Sequence, residues 1–183
     1  MRLFVALDLP DEVREQLETL CAGVPQMRWV PPENLHITLR FVGSVDNAAA
    51  RDLDDALAAI TFPSFELSLA GVGAFDEGRV VNTLWVGVPQ NEALTRLQGK
   101  VEQAVSRAGL NSGRQRKFKP HVSLARGRAA FEPKLQGWLT RHALFRTPPF
   151  EVDSFALFSS ILNPTGAQYT KEVDYPLERA YAG

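Results

Sequence analysis

The chain has 183 residues, of which 45% are hydrophobic and 22% charged, and its formal net charge is −1 at pH 7. These values are typical of a folded globular protein and exclude a disordered or collagen-like chain. A net charge so close to zero argues against general coating of nucleic acid, which usually requires a strongly basic protein. The single cysteine, Cys21, can form neither an internal disulfide nor a thiolate metal cluster.

No segment has the apolar length of a signal peptide or of a membrane span. We therefore expect a cytoplasmic protein without membrane contacts. The length fits one domain of two lobes covering residues 1–183, and we expect it to be monomeric.

The first half of the chain contains two predicted strands that differ in character. Arg2–Leu9 is apolar and predicts a buried strand, and Pro10 opens a helix that Gly23 ends. Leu35–Val42 alternates, so that Leu35, Ile37, Leu39 and Phe41 point one way and His36, Thr38 and Arg40 the other. This alternation predicts a strand with an apolar back and a polar front. A helix capped by Asp46 or Asn47 follows it.

The second half repeats this order. The longest helix is predicted from Glu92 to Ala108, and a basic loop and a short strand from His121 to Ala125 follow. The remaining elements are predicted strands at Phe65–Leu69, Arg79–Val88, Phe150–Ser159 and Tyr169–Tyr175, and a helix that begins at Pro133. Together they favour a mixed α+β protein with antiparallel strands.

Two short segments resemble each other and lie nearly half the chain apart. LHITL (35–39) and PHVSL (120–124) share a histidine, a β-branched residue, a hydroxyl residue and a leucine in the same order. Because residues two apart on a strand face the same side, His36 lies beside Thr38, and His121 lies beside Ser123. If the two halves pack with approximate twofold symmetry, these four side chains surround one groove.

That combination of side chains suits phosphate chemistry. Near neutral pH one imidazole can donate a proton while another accepts one, and hydroxyl groups can hydrogen-bond phosphate oxygens. A lone histidine on a strand is more often structural than catalytic, but packing alone does not explain the same polar pattern occurring twice. His142 has no such neighbours and is interpreted as a surface residue.

The two segments match the HxTx motifs of the two-histidine phosphoesterases. The words around them, RLFVALDLP, WVPPENLHITLRFVG, FKPHVSLAR and FALFSSIL, resemble the RNA 2′,3′-cyclic phosphodiesterase family, also called 2′-5′ RNA ligase-like or LigT-like. The resemblance spans nearly the whole chain. It implies a bilobal, pseudo-twofold α+β fold with two antiparallel sheets flanking a central cleft and helices on the outside.

The resemblance also implies a reaction, the hydrolysis of RNA 2′,3′-cyclic phosphate ends to 2′-phosphates without a metal or another cofactor. If the roles of the family's motif residues apply at the matching positions, His36 is the proton donor to the leaving 3′ oxygen and His121 is the proton acceptor that activates water. Thr38 and Ser123 hold the phosphate, and Arg126 neutralises its charge.

Two features depart from the simplest form of this pattern. Ser123 stands where threonine is more usual, which keeps the hydroxyl but loses the stiffness of β-branching. Arg126 has the wrong parity to share a face with His121 in an ideal strand. A β-bulge or strand end near Ala125 would correct the parity, and Gly127 favours one.

Further substrate contacts are predicted outside the motifs. Arg40 shares the predicted polar face of His36 and is a secondary phosphate ligand. The basic run Arg114–Lys119 is either a solvated loop or a track for the RNA backbone. Phe118, Phe4 and Trp29 could each stack a base, although core packing is favoured for all three.

Three alternatives remain at this stage. The chain could recognise a terminal phosphate of RNA or a nucleotide without turnover. It could use His36 and His121 as metal ligands, although no HExxH motif or carboxylate cluster accompanies them. Within the same family, it could also join RNA ends through a 2′–5′ bond.

Overall fold

A computed structural model describes residues 1–111 and 117–179. Its four α-helices are α1 (Asp11–Glu18), α2 (Asn47–Ala58), α3 (Glu92–Arg107) and α4 (Pro133–Arg141), and a 3₁₀ turn covers Pro32–Asn34. The strands are β1 (Arg2–Asp8), β2 (Met27–Trp29), β3 (His36–Ser44), β4 (Phe65–Leu67), β5 (Val72–Glu77), β6 (Val80–Gly87), β7 (His121–Ala130), β8 (Phe150–Val152), β9 (Ser154–Asn163) and β10 (Gly166–Pro176). The predicted α+β class and antiparallel strands are confirmed.

The main sheet is built from two similar halves. Its strand order is β10-β9-β1-β3-β7-β6-β5, and β2 pairs with β7 beside this path. The segment β9-β1-β3 is mirrored by β5-β6-β7, and a second sheet joins β4 to β8. Three strands on one side of the β3–β7 junction therefore correspond to three on the other, as expected for an internal repeat related by a twofold axis, and β10 is an additional strand at one edge.

The central strands β3 and β7 are joined by a single residue pair. Ile37 of β3 pairs with Val122 of β7, and both side chains are completely buried. These residues point to the apolar back of the sheet, where they share one hydrophobic cluster with helix residues such as Leu57, Leu97 and Trp138. The residues on either side of each one therefore project from the front of the sheet, at the twofold axis.

The helices form where the sequence places their caps. Asp46 precedes α2 and accepts a hydrogen bond from the backbone amide of Ala49 at 2.8 Å, which satisfies one donor of the first turn. The helix predicted to continue toward Gly23 ends at Glu18 instead, because turn-type hydrogen bonds replace the helical ladder at Thr19 and Leu20.

Neither a membrane-spanning helix nor a cluster of metal ligands is found in the described segments. No helix within residues 1–111 or 117–179 has the length and apolarity to cross a bilayer. In the same residues, no three His, Cys, Asp or Glu side chains are grouped so that they could hold a metal ion.

Candidate active site

The two motifs face each other across the β3–β7 junction. Because Ile37 pairs with Val122 in an antiparallel register, His36 lies opposite Ser123 and Thr38 lies opposite His121. In such a ladder, opposite Cβ atoms are about 4.5–5.5 Å apart and diagonal ones about 7–8 Å. All four side chains are half-buried on the front of the sheet, whereas Ile37 and Val122, which lie between them in the sequence, are buried at the back. Each hydroxyl residue therefore lies beside the histidine of its own motif and opposite the histidine of the other.

The His36 ring is held through both of its nitrogens. Nδ1 lies 2.7 Å from the backbone carbonyl oxygen of Asn34, which can only accept, so Nδ1 carries a hydrogen and donates it. Nε2 lies 2.9 Å from Oγ1 of Thr38. In the neutral ring, Nε2 accepts the hydroxyl hydrogen, and in the imidazolium it can donate a proton instead. Nε2 is therefore fixed next to the Thr38 hydroxyl.

The His121 ring is oriented in the same way. Its Nδ1 donates to the backbone carbonyl oxygen of Lys119 at 2.7 Å, again two residues before the histidine. Both rings therefore carry a hydrogen on Nδ1 and leave Nε2 for chemistry. The sequence gives no signal for these carbonyl acceptors, because any residue two positions upstream supplies the same backbone atom.

Both histidines have pKa values below their ordinary value. Burial is the main cause for His36, assisted by the positive charges of Arg126 and His121, while the Asn34 carbonyl and the Asp8 carboxylate oppose it. Burial is also the main cause for His121, assisted by Arg126 and opposed by the Lys119 carbonyl. The influence of Arg126 on both rings, and of His121 on His36, places all three groups in one electrostatic neighbourhood.

The twofold symmetry is broken beside the two rings. Asp8 is the cross-strand partner of His36, whereas Gly87 is the partner of His121. Asp8 is exposed and forms ion pairs with Arg14 and with Lys171, the latter at 3.0 Å. A carboxylate thus favours the protonated form of His36, and the corresponding position next to His121 carries no side chain.

Arg126 reaches the front of the sheet because β7 contains a bulge. Ser123 pairs with Trp85 and Ala125 pairs with Leu84, so Leu124 is an extra residue in the register. The extra residue shifts the alternation by one position and turns Arg126 to the side of His121. In an ideal strand Arg126 would face away from His121, and the bulge expected near Ala125 brings the two side chains to the same face.

The same kind of bulge makes the prediction for Arg40 wrong. Thr38 pairs with Ala6 and Arg40 pairs with Val5, so Leu39 is the extra residue in β3. Arg40 therefore shares the side of the buried Val5 rather than that of His36. Its guanidinium is held by Glu102 of α3 at 3.0 Å. Phe41, which is 62% exposed, takes the front position instead.

Aromatic rings pack against both histidines at related positions. Phe158 stacks with His36 at a centroid separation of 6.5 Å, and Phe75, its counterpart in the other half, meets His121 edge-on at 4.9 Å. Phe4 and Tyr169 complete the wall around His36, with centroids 5.1 and 5.4 Å away. The sequence does not predict that Phe75, Phe158 and Tyr169 pack against the histidines, since only the strand pairing brings them to the motifs.

The other predicted binding residues lie elsewhere. Phe118 is half-buried and packs against the hydrophobic core, and Trp29 packs against Trp138 with centroids 6.0 Å apart. For both residues this is the role that the sequence favours over base stacking. Lys117 and Lys119 are exposed, while the prediction for Arg114 and Arg116 concerns residues outside those that the structure describes.

The sequence is similar to a known family over both halves. The family model for LigT-like phosphoesterases matches residues 7–85 and again residues 86–169, so one match covers each motif. The chain belongs to this family. The double match agrees with the repeated three-strand arrangement of the sheet and confirms the predicted resemblance to the two-histidine phosphoesterases.

Individual relatives cover nearly the whole chain. The RNA 2′,3′-cyclic phosphodiesterase of Archaeoglobus fulgidus is 34% identical over 172 residues, which are 92% of this chain and 96% of the relative. The protein of the same name from Thermotoga maritima is 33% identical over 177 residues, covering 92% and 91% of the two chains.

Solved structures agree with the fold. TT0787 of Thermus thermophilus superposes with a TM-score of 0.79 at 28% identity, over 99% of this chain and 100% of that one. Escherichia coli LigT in the apo form gives 0.76 at 29% identity, over 97% of both chains. LigT has also been solved in complexes with 3′-AMP and with phosphate.

Proposed function

We propose that this protein hydrolyses 2′,3′-cyclic phosphate ends of RNA to 2′-phosphomonoesters by metal-independent general acid–base catalysis. The observation that carries the proposal is the pair of imidazoles, each fixed by a backbone carbonyl, on either side of the β3–β7 junction. The names of the relatives from Archaeoglobus and Thermotoga support the substrate, as do the LigT complexes with 3′-AMP and phosphate.

The arrangement suits an in-line displacement at phosphorus. The cyclic phosphate lies between the two motifs, and its nonbridging oxygens accept hydrogen bonds from Thr38 and Ser123. His121 takes a proton from water through Nε2 as the water oxygen bonds to phosphorus. The bond from phosphorus to the 3′ oxygen breaks on the opposite side, and His36 gives its Nε2 proton to that oxygen. The product is a 2′-phosphate and a free 3′ hydroxyl.

The asymmetry at Asp8 supports this distribution of roles. The leaving 3′ oxygen requires a proton, so the donor must be charged before reaction, and a neighbouring carboxylate stabilises that form. His121 has Gly87 at the corresponding position and receives no such help. Arg126 lies near both rings and neutralises the charge that develops on the phosphate.

The same residues could catalyse the joining of RNA ends. If a 5′ hydroxyl of RNA replaces water, His121 removes its proton and the new bond is a 2′–5′ phosphodiester, while His36 again protonates the 3′ oxygen. The alternative from another class is a module that binds terminal phosphates without turnover. Product formation separates the binding module from both reactions.

The test is incubation with adenosine 2′,3′-cyclic phosphate and with RNA ending in a cyclic phosphate, with and without excess chelator. We expect only the 2′-phosphate in the ³¹P NMR spectrum, at a rate that the chelator does not change. A 3′-phosphate product would contradict the role of His36, and loss of activity in chelator would contradict metal independence. Binding without turnover would leave the binding module as the function.

A further inference from the structure

A second arginine lies beside Arg126 on the neighbouring strand. In the register of β2 and β7, Arg28 is directly opposite Arg126, between the pairs Met27–Gly127 and Trp29–Ala125. Directly opposite residues of an antiparallel pair project from the same face, with Cα atoms about 4.5–5.5 Å apart. Neither the motifs nor the mechanism above uses Arg28.

The neighbours of Arg28 confirm which face it occupies. Met27 is 5% exposed and belongs to the core, and Trp29 packs against Trp138, so both of these side chains point to the back of the sheet. The strand alternation then turns Arg28 to the front, where Arg126 already lies. Two guanidinium groups therefore stand side by side on the face that carries the catalytic histidines.

Nothing in the described part of the chain neutralises these two charges. Both arginines are exposed, and no carboxylate of residues 1–111 or 117–179 lies within 4.0 Å of either. Like charges placed directly opposite each other on a sheet destabilise it. An arrangement of this kind is stabilised by an anion that bridges the two groups, and arginine forks match phosphate oxygens well.

The position of Arg28 relative to His36 defines which phosphate it can reach. Along β7, His36 lies opposite residue 123 and Arg28 opposite residue 126, three positions away. Because Leu124 is the extra residue of the bulge, this interval matches only two residues of β6, from Trp85 to Thr83, and spans about 7 Å at the rise of a β-strand. The cyclic phosphate occupies the motif end of this interval, and one nucleotide of RNA is long enough to bring the next phosphate within reach of the arginine side chains.

We propose that Arg28, beside Arg126, binds the phosphodiester that precedes the cyclic phosphate in an RNA chain. This contact makes the enzyme prefer oligonucleotide ends over cyclic mononucleotides, which lack that phosphodiester. The inference rests on the proposed function, since it identifies the length of substrate that the same groove accepts.

The test compares two substrates that differ only in the additional nucleotide. KM and kcat are measured for adenosine 2′,3′-cyclic phosphate and for the dinucleotide ApA with a 2′,3′-cyclic phosphate end. The proteins are the wild type, Arg28→Gln and, as a matched control, Arg51→Gln, which removes an exposed arginine from α2. We expect Arg28→Gln to raise the KM of the dinucleotide about tenfold, the effect of one charged hydrogen-bonded contact, with kcat unchanged.

The mononucleotide and the salt dependence complete the comparison. We expect KM for the mononucleotide to be the same in all three proteins, and Arg28→Gln to reduce the salt dependence of dinucleotide binding by roughly one phosphate contact. An equal rise of KM for both substrates, or no rise for either, would overturn the proposal. So would an equal effect of Arg51→Gln.

A binding titration separates this proposal from the proposed function. The wild type and Arg28→Gln are titrated with ApA carrying a 2′-phosphate and with adenosine 2′-phosphate, which require no turnover. Weaker binding of the dinucleotide alone supports the subsite even if neither cyclic substrate is hydrolysed. Identical affinities of the two proteins for the dinucleotide refute it.

Discussion

The distinct roles of the two histidines can be tested with a change of leaving group. General acid or base catalysis contributes roughly 10²–10⁴-fold per group, so His36→Ala and His121→Ala should each lose about 3–5 kcal/mol of transition-state stabilisation. The two losses alone do not distinguish donor from acceptor, because both rings are held in the same tautomer by equivalent carbonyls. A substrate whose leaving group departs without protonation distinguishes the donor from the acceptor.

The substrate is a cyclic phosphate in which sulfur replaces the bridging 3′ oxygen. A thiol ionises near pH 8.5, several units below an alcohol, so the sulfur departs as a thiolate without a proton donor. We expect His36→Ala to lose at most about tenfold on this substrate, well short of the usual contribution of a general acid. His121→Ala should keep its full loss, since water must still be deprotonated.

The assay follows release of the thiolate and compares each variant with the wild type. Circular dichroism and denaturant midpoints serve as the folding control, because removing either half-buried ring also removes its aromatic contacts. Rescue of His121→Ala in place of His36→Ala would show that the roles are exchanged. If neither variant were rescued, protonation of the leaving group would not be the function of either ring.

Three further outcomes follow from the same geometry. Asp8→Asn should lower the pKa of His36 further, since it removes the nearby carboxylate and leaves its cationic partners, and NMR titration of the ring would measure the shift; an upward shift would contradict it. For the wild type, kcat/KM should form a bell with its maximum below about pH 6.5, the ordinary histidine value, because both pKa values are lowered; a flat profile or a maximum above pH 7 would disagree. Gly73→Ala should cost about 1–3 kcal/mol of stability in urea because its Cβ would collide with the Trp85 indole, whereas Gly99→Ala, in open space on α3, should gain about 0.5–1 kcal/mol; equal effects of the two would refute this explanation.

Much of the fold follows from local patterns in the sequence. The alternation around His36 predicts β3, and the periodic apolar residues and caps predict α2 and α3 to within a residue or two. Both motifs and their hydroxyl partners are identified by repetition. The strand at His121 is longer than predicted and continues to Ala130, since pairing with β6 extends it where the sequence alone shows only arginine, glycine and alanine.

The parts of the site that the sequence does not predict depend on pairing between distant strands. Period-two alternation places Arg40 beside His36 and Arg126 away from His121, and both assignments reverse in the structure. The reason is one extra residue in each strand, Leu39 and Leu124. A bulge is set by the partner strand, so it leaves no regular mark on the alternation of its own strand.

The two bulges also explain how a duplicated fold becomes a directional site. In each half the bulge turns the second residue after it to the front of the sheet, and the two residues at these equivalent positions are Phe41 and Arg126. One end of this face therefore presents an exposed aromatic ring and the other a guanidinium, with Arg28 next to it. A symmetric site would accept a cyclic phosphate in either orientation and could not assign a fixed donor and acceptor. Under the proposed mechanism, the different residues at these positions, together with Asp8 at the position equivalent to Gly87, allow two equivalent histidines to perform different steps.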